Sequence, residues 1–309
     1  MVDVHVHEVG TRDGLQSVPF FVPTEVKNRW CAAEFGAGVR EIEVCSFVPV
    51  KLISQFADAA DVVRHALALD GLMVAALIPN LKGAERAIEL GVHKVNYVIS
   101  VSESHNRANV RRSTDESAVD FERVVALARG VPQGRRPLVV GGLATAFGCT
   151  IEGDISQGRV RELASRLAHA GADEIIMADT VGYANPAAVR RLFGAVRLDL
   201  GNIPITAHFH DTRGLGLANV LAALDAGIRA FDASLGGLGG CPYAPGASGN
   251  ICTEDLVFML EAMGLKTGID VGRLLSVREE VREALKDQPF HGVIARAGLP
   301  KGFRPAGVA

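Results

Sequence analysis

Short apolar runs of strand length alternate along the chain with longer stretches whose apolar positions recur at helical spacing. The runs Val2–Glu8, Val39–Cys45, Met73–Ile78, Val95–Ser100, Leu138–Leu143, Glu174–Ala178, Ile205–His208 and Ala230–Ser234 read as strands. Helical patterns fall between and after them, over 24–36, 54–69, 82–90, 115–129, 156–170, 186–198, 215–226 and 253–263. Start signals support two of these helices. Ser113-Thr114-Asp115-Glu116 has the form of a capping box, in which hydroxyl and carboxylate each satisfy a free backbone N–H. Ser156 suits an N-cap.

A repeat supports this parsing. Gly38, Gly91, Gly171 and Gly227 each close a helical pattern, and the apolar strand residues Ile42, Val95, Ile175 and Phe231 follow four positions later. Glycine accepts the left-handed backbone that ends a helix, so one helix-to-strand turn is being reused. Eight strand–helix units predict an α/β fold, a TIM (β/α)8 barrel. A doubly wound open sheet shares the local grammar, but regular units without an obvious edge strand favour closure. The barrel is expected over 1–265. Residues 266–309 are expected to form a short C-terminal extension packed on it, helical over Val271–Lys286 and Gly-rich and basic over His291–Phe303.

Composition narrows the classes. The 309 residues, 48% hydrophobic and 22% charged, describe a globular chain with a sizeable core and exclude a disordered one. The longest clean apolar run, Leu72–Ile78, falls far short of the roughly 18 residues of a membrane span. The net charge is −3, and cations are dispersed apart from Arg107, Arg111 and Arg112, which argues against nucleic acid and leaves room for a small anionic substrate. Five cysteines without a CxxC argue against a disulfide framework or structural zinc site and point to a reducing cytoplasm. The segment Met1–Val6 enters a strand pattern at once and resembles neither a secretory nor a transit peptide.

In such barrels the chemistry lies at the C-terminal strand ends. There the chain places Arg12-Asp13, Glu43, Asp179-Thr180, His208-Phe209-His210-Asp211 and a loop running from Gly236 through Cys241 to Asn250. His208 and His210, two apart on a strand, face the same side. With Asp13 and an amide or carbonyl oxygen they would form a mixed N/O set suited to Mg²⁺ or Mn²⁺. His5 and His7 share the spacing but sit mid-strand and read as structural. Arg12 could stabilise an oxyanion. Glu43 and Asp179 could act as bases, hold ligands in place or pair with arginine. Cys241, within a glycine-rich loop able to close, could donate a proton, although a lone cysteine is more often a packing residue. The glycine run lacks the GxGxxG spacing of a phosphate cradle. A Schiff-base aldolase needs a lysine inside the barrel. Lys27, Lys51, Lys82, Lys94, Lys266, Lys286 and Lys301 fall at helices, helix ends, strand starts or the tail, which disfavours that chemistry.

The segments Glu8–Gln16, Ile42–Pro49, Pro79–Gly83, Ala178–Gly182, His208–Thr212 and Gly237–Asn250, in order along most of the chain, resemble the 3-hydroxy-3-methylglutaryl-CoA (HMG-CoA) lyase family. That family belongs to the metal-dependent lyase and condensing-enzyme barrels. The resemblance implies a retro-Claisen cleavage of HMG-CoA, or a closely related 3-hydroxyacyl-CoA, to acetyl-CoA and acetoacetate or the corresponding keto acid, as in leucine degradation and ketone-body formation. It implies Asp13, His208, His210 and Asn250 as ligands of a divalent cation, Mg²⁺ or Mn²⁺. Arg12 would stabilise the thioester enolate, Cys241 would protonate it, and Glu43 and Asp179 would support the metal site, with His208 the candidate base. Gln16, Ser46 and Asn109 would contact substrate. Two stretches depart from the family: Ser17-Val18-Pro19-Phe20, and the arginine-rich loop Ser104–Arg112 near the expected substrate entrance. A citramalate- or isopropylmalate-synthase-like condensing enzyme using acetyl-CoA is the alternative, but those enzymes carry further C-terminal domains. A barrel that binds without catalysis would have lost some of these residues. A homo-oligomer, dimer or tetramer, is expected.

Overall fold

The computed structural model describes residues 2–240 and 249–307. Eight parallel strands close into a barrel in sequence order: β1 (His5–Glu8), β2 (Glu41–Ser46), β3 (Met73–Ile78), β4 (Lys94–Ser100), β5 (Leu138–Ala144), β6 (Glu174–Asp179), β7 (Ile205–Phe209) and β8 (Ala230–Ala233). Closure is made by β1 on β8, with Val6 beside Phe231 and His7 beside Asp232. The open-sheet alternative is thereby excluded. Around the barrel lie α1 (Thr24–Ala37), α2 (Ala59–Leu67), α3 (Leu81–Leu90), α4 (Glu103–Val110), α5 (Thr114–Arg129), α6 (Gln157–Ala170), α7 (Pro186–Leu200), α8 (Gly216–Asp225) and α9 (Thr253–Ala262). Beyond them come α10 (Val271–Ala284) and the short α11 (Ile294–Ala297).

The helices dock by their apolar stripes. On α7, Val189, Leu192, Phe193 and Val196 follow the i, i+3, i+4, i+7 spacing and are all buried. Phe193 meets Phe147 and Phe209 with ring centroids 6.0 and 6.2 Å apart. Each such side chain contributes about 1.5–3 kcal/mol of burial free energy. The capping box at Ser113 is present, its hydroxyl accepting from Glu116 N at 3.0 Å and its N–H donating to the Glu116 carboxylate at 2.7 Å. Ser156 caps α6 by accepting from Arg159 N. Gly38, Gly91, Gly171 and Gly227 all have positive φ, as their repeat requires.

Two differences from the sequence reading stand out. Residues 2–4 are not part of β1: Asp3 N donates to Lys266 O, so the chain enters the barrel against the segment after α9. The stretch expected as a loop after β4 is α4, capped by Ser102 and ended by Arg111 in the left-handed region (φ 58°). The C-terminal helix α10 lies against α1, where Asp270 N donates to Ala37 O at 2.8 Å.

The barrel interior departs from the usual filling of branched apolar side chains. Lys94, 1% exposed, lies between Glu41 and Glu174, at 2.6 and 2.7 Å. Thr206 donates to Glu174 at 2.6 Å. The barrel therefore does hold a lysine, contrary to expectation. Two carboxylates outweigh the cost of its burial and keep it a cation, so it is not a nucleophilic amine.

Candidate active site

Arg12 and Asp13 leave β1 on a wide, π-type turn, Gly10–Gly14, whose N–H groups at Arg12, Asp13 and Gly14 all converge on Val9 O. Such turns recur at functional sites. Gly10 is required by space: a Cβ there would lie 2.6 Å from Glu8 Oε1 and 2.7 Å from the Trp30 ring. Fully buried Glu8 accepts from Gly10 N, Leu235 N and Thr253 Oγ1, tying this turn to the end of β8. Burial, helped by Glu254 and opposed by those hydrogen bonds, pushes its pKa up to about 8.

The turn aims its two charged side chains into a cavity of about 560 Å³ at the C-terminal end of the barrel. Arg12 donates through Nε to Glu43 and through Nη1 to Asp13 Oδ1 at 2.6 Å. Glu43 also accepts from Asn96 at 2.7 Å. Burial alone would raise Asp13, but Arg12 and the two histidines outweigh it and hold the carboxyl well below the usual range.

His208 and His210 approach each other Nε2 to Nε2 at 3.1 Å and stand 3.9 and 3.6 Å from Asp13 Oδ2. Among the described residues, Asp13, His208 and His210 form the cluster able to hold a metal ion. Asn250 reaches the same point through its bridge to His210. Its Nδ2 donates to Asp13 Oδ2 at 2.6 Å, and its buried Oδ1 has no hydrogen-bond partner. Two imidazole nitrogens facing one carboxylate oxygen, beside an orphaned amide oxygen, fit a divalent cation. The second nitrogen of His208 is engaged by Asp232 Oδ2 at 3.1 Å. Burial disfavours charge on both rings. Asp232 and Asp13 overcome this at His208, whose pKa rises, while burial and the neighbouring His208 leave that of His210 lowered.

The residues singled out from sequence divide into three groups. Arg12, Asp13, Gln16, Glu43, Asn109, His208 and His210 line the cavity, and Asn250 adjoins Asp13. Ser46 and Asp179 do not face it. Ser46 Oγ, buried, accepts from Val48 N. The Asp179 carboxylate accepts from Tyr183 N at 2.8 Å and Ala184 N at 3.1 Å, while its neighbours Ala178 and Thr180 line the cavity. Along a strand, faces alternate. Asp179 therefore braces the turn after β6 instead of reaching the cavity interior as a base would. Burial, resisted by those two bonds, pushes its pKa up to about 6. Cys241 lies outside the described residues. Sequence reasoning missed Asn96 and Asp232, both cavity-lining polar residues within strands. A charged residue two positions before Ser234, at the end of a strand otherwise apolar at its core, was the available signal for Asp232.

A closed parallel barrel with a cavity at its C-terminal mouth and a carboxylate–imidazole cluster there defines a barrel-enzyme class with a candidate metal centre. Comparison with known proteins makes this specific: the HMGL-like family profile matches residues 3–281, and the chain belongs to that family. The chain is 42% identical over 282 residues to hydroxymethylglutaryl-CoA lyase YngG of Bacillus subtilis, covering 91% of this chain and 93% of that one. It is 39% identical to the mitochondrial hydroxymethylglutaryl-CoA lyase of Rattus norvegicus, covering 91% and 86%. Among solved structures, an HMG-CoA lyase from Acinetobacter baumannii, in complex with coenzyme A and 3-methylmalate, superposes with a TM-score of 0.91 at 42% identity, covering 98% of this chain and 97% of that one. Among the described residues, no helix is long and apolar enough to cross a membrane.

Proposed function

We propose that this protein is a carbon–carbon lyase that cleaves HMG-CoA to acetyl-CoA and acetoacetate, using a divalent cation, Mg²⁺ or Mn²⁺, held by Asp13, His208, His210 and Asn250. The observation that carries the reading is the convergence of Asp13, His208 and His210 at the mouth of a barrel whose relatives are HMG-CoA lyases. The mixed oxygen and nitrogen donors suit a hard or borderline cation with positions left open. When bound, that cation supplies Lewis-acid polarisation of substrate oxygens.

The protein's own groups account for the rest. The C3 hydroxyl gives up its proton to a base. His208, the candidate from the resemblance, has both ring nitrogens committed once it is a ligand, Nε2 to the cation and Nδ1 to Asp232, so that role falls to another group at the cavity. The C2–C3 bond breaks, its electron pair passing to the thioester as an enolate while the C3 oxygen becomes the ketone. Arg12, held by Glu43 and Asp13, is a fixed cation able to stabilise the enolate oxygen. Protonation at C2, the role assigned to Cys241, yields acetyl-CoA. Gln16 and Asn109 are the candidate substrate contacts on the cavity wall. Asp179 and Ser46 support that wall from behind.

The enzyme would work as a homo-oligomer in the cytoplasm, a setting that the free, buried cysteines among the described residues suit. The test is cleavage of HMG-CoA with and without Mg²⁺ or Mn²⁺, following acetyl-CoA. Metal-dependent release is expected, and no turnover with metal present overturns the substrate. Turnover only with another 3-hydroxyacyl-CoA keeps the reaction and moves the acyl group.

A further inference from the structure

His7 read as structural from its place in mid-strand, yet it faces the barrel interior one strand from the candidate metal centre. Its Nδ1 lies 3.3 Å from Asp232 Oδ1, while Asp232 Oδ2 lies 3.1 Å from His208 Nδ1. The strand register sets both contacts: Asp232 of β8 pairs with His7 of β1 on one side and with His208 of β7 on the other. We propose that His7 is a positioning residue for the metal ligand His208, the two imidazoles sharing the carboxylate of Asp232, one on each oxygen. The proposal rests on the reading of Asp13, His208 and His210 as the metal-holding cluster.

A ligand imidazole has to be held in one tautomer and one orientation. His208 must present the lone pair of Nε2 to the cluster, so Nδ1 must carry the proton and have a fixed acceptor. Asp232 supplies that acceptor. A carboxylate held by one hydrogen bond can still swing about its own Cα–Cβ bond. Engaging the second oxygen removes that freedom. His7 is itself braced, with Nε2 3.6 Å from Glu41 Oε2, and Glu41 is held by Lys94 at 2.6 Å. The interior thus carries a continuous chain, Glu174–Lys94–Glu41–His7–Asp232–His208, from the N-terminal half of the barrel to the candidate centre. Glu41 and Asp232 favour charge on the His7 ring, although burial acts against it, so the ring is a good donor to Asp232.

Mn²⁺ binding to the metal-stripped protein, followed by calorimetry or by the spectrum of the free ion, reads this link without any substrate. His7→Val, β-branched and suited to a strand, should weaken Mn²⁺ about 10-fold, the lower end of what losing an outer partner costs a metal site. His7→Gln, which can still donate to Asp232, should recover most of that loss. Asp232→Asn should weaken binding at least as much. The double variant should be no worse than Asp232→Asn alone, because His7 acts only through that carboxylate. Unchanged Mn²⁺ affinity in a folded His7→Val protein overturns the proposal, as do losses that simply add in the double variant. Should His7→Val not fold, His7→Gln and Asp232→Asn carry the same comparison, with wild-type-like affinity in Asp232→Asn overturning it. Failure to cleave HMG-CoA with Mn²⁺ binding intact would instead overturn the substrate reading, so the two can fail separately.

Discussion

Arg12 is held in a fork, with Nε on Glu43 and Nη1 on Asp13. A lysine offers a single point charge on a flexible stem and cannot make both contacts in a fixed plane. Arg12→Lys should lower kcat by about 10²–10³-fold, the range for losing one oxyanion donor, with a much smaller effect on KM. Steady-state cleavage assays measure both. Asp179 tests a different point. Its pKa is pushed up to about 6, above the usual 3.8. Between those values the folded state binds the proton more tightly than the unfolded chain, so this group's contribution to stability is lost as pH rises from about 4 to 6. Asp179→Asn cannot ionise but loses one of two backbone contacts, so its melting temperature should lie below wild type. That deficit should shrink as pH is raised across the window. A deficit that grows or stays constant contradicts the shifted titration. At this scale the sequence exposed the residues whose spacing is itself the signal: Arg12-Asp13 after a strand, and His208 with His210. It hid the partners. Asp232, Asn96 and His7 matter because of what lies across the barrel, which no local spacing reveals. The strand-end position of Asp179 does not by itself say which face the carboxylate occupies.

The helix-to-strand turns show local chemistry acting at the level of whole elements. Gly38 and Gly91 share a left-handed backbone but not their surroundings. A Cβ at Gly91 meets nothing within 4 Å, whereas one at Gly38 would lie 2.3 Å from the backbone oxygen of Gly268. Gly91→Ala should therefore cost only the backbone strain, about 1–2 kcal/mol. Gly38→Ala should cost clearly more, because the segment entering α10 must move away from α1. Urea denaturation of the two variants checks the order, and equal losses would contradict the close approach. These turns were legible in the sequence because glycine is demanded by the residue's own φ. The helix α4 was not: Glu103–Val110 has a mean composition too polar for an apolar stripe. It is defined by the cap at Ser102 and by docking over the cavity, where Ala108, Asn109 and Val110 line the wall.

For the molecule as a whole, the polar filling of the barrel is the feature that alternation of strands and helices could not convey. Lys94 neutralises Glu41 and Glu174 on strands that are not its neighbours in sequence. Lys94→Met should destabilise the fold by about 3–5 kcal/mol, because the buried Glu174 loses its counter-charge and Glu41 keeps only His7, at 3.6 Å. Adding Glu41→Gln and Glu174→Gln should return much of that loss. Chemical denaturation of the single and triple variants tests this, and a triple variant no more stable than the single one would place the cost elsewhere.

The pairing of β1 with β8 has a consequence for the order of assembly. Asp13 follows the first strand, while His208, His210 and Asn250 flank the seventh and eighth, so the cluster unites residues about two hundred positions apart. A nascent chain that has emerged only through its sixth strand carries the carboxylate but neither imidazole. Such distant pairings form late, after the local units are in place. A cation held only by the finished ring, as proposed, would therefore act as a clasp. It would withdraw completed barrels from the folding equilibrium by mass action and leave half-made ones untouched.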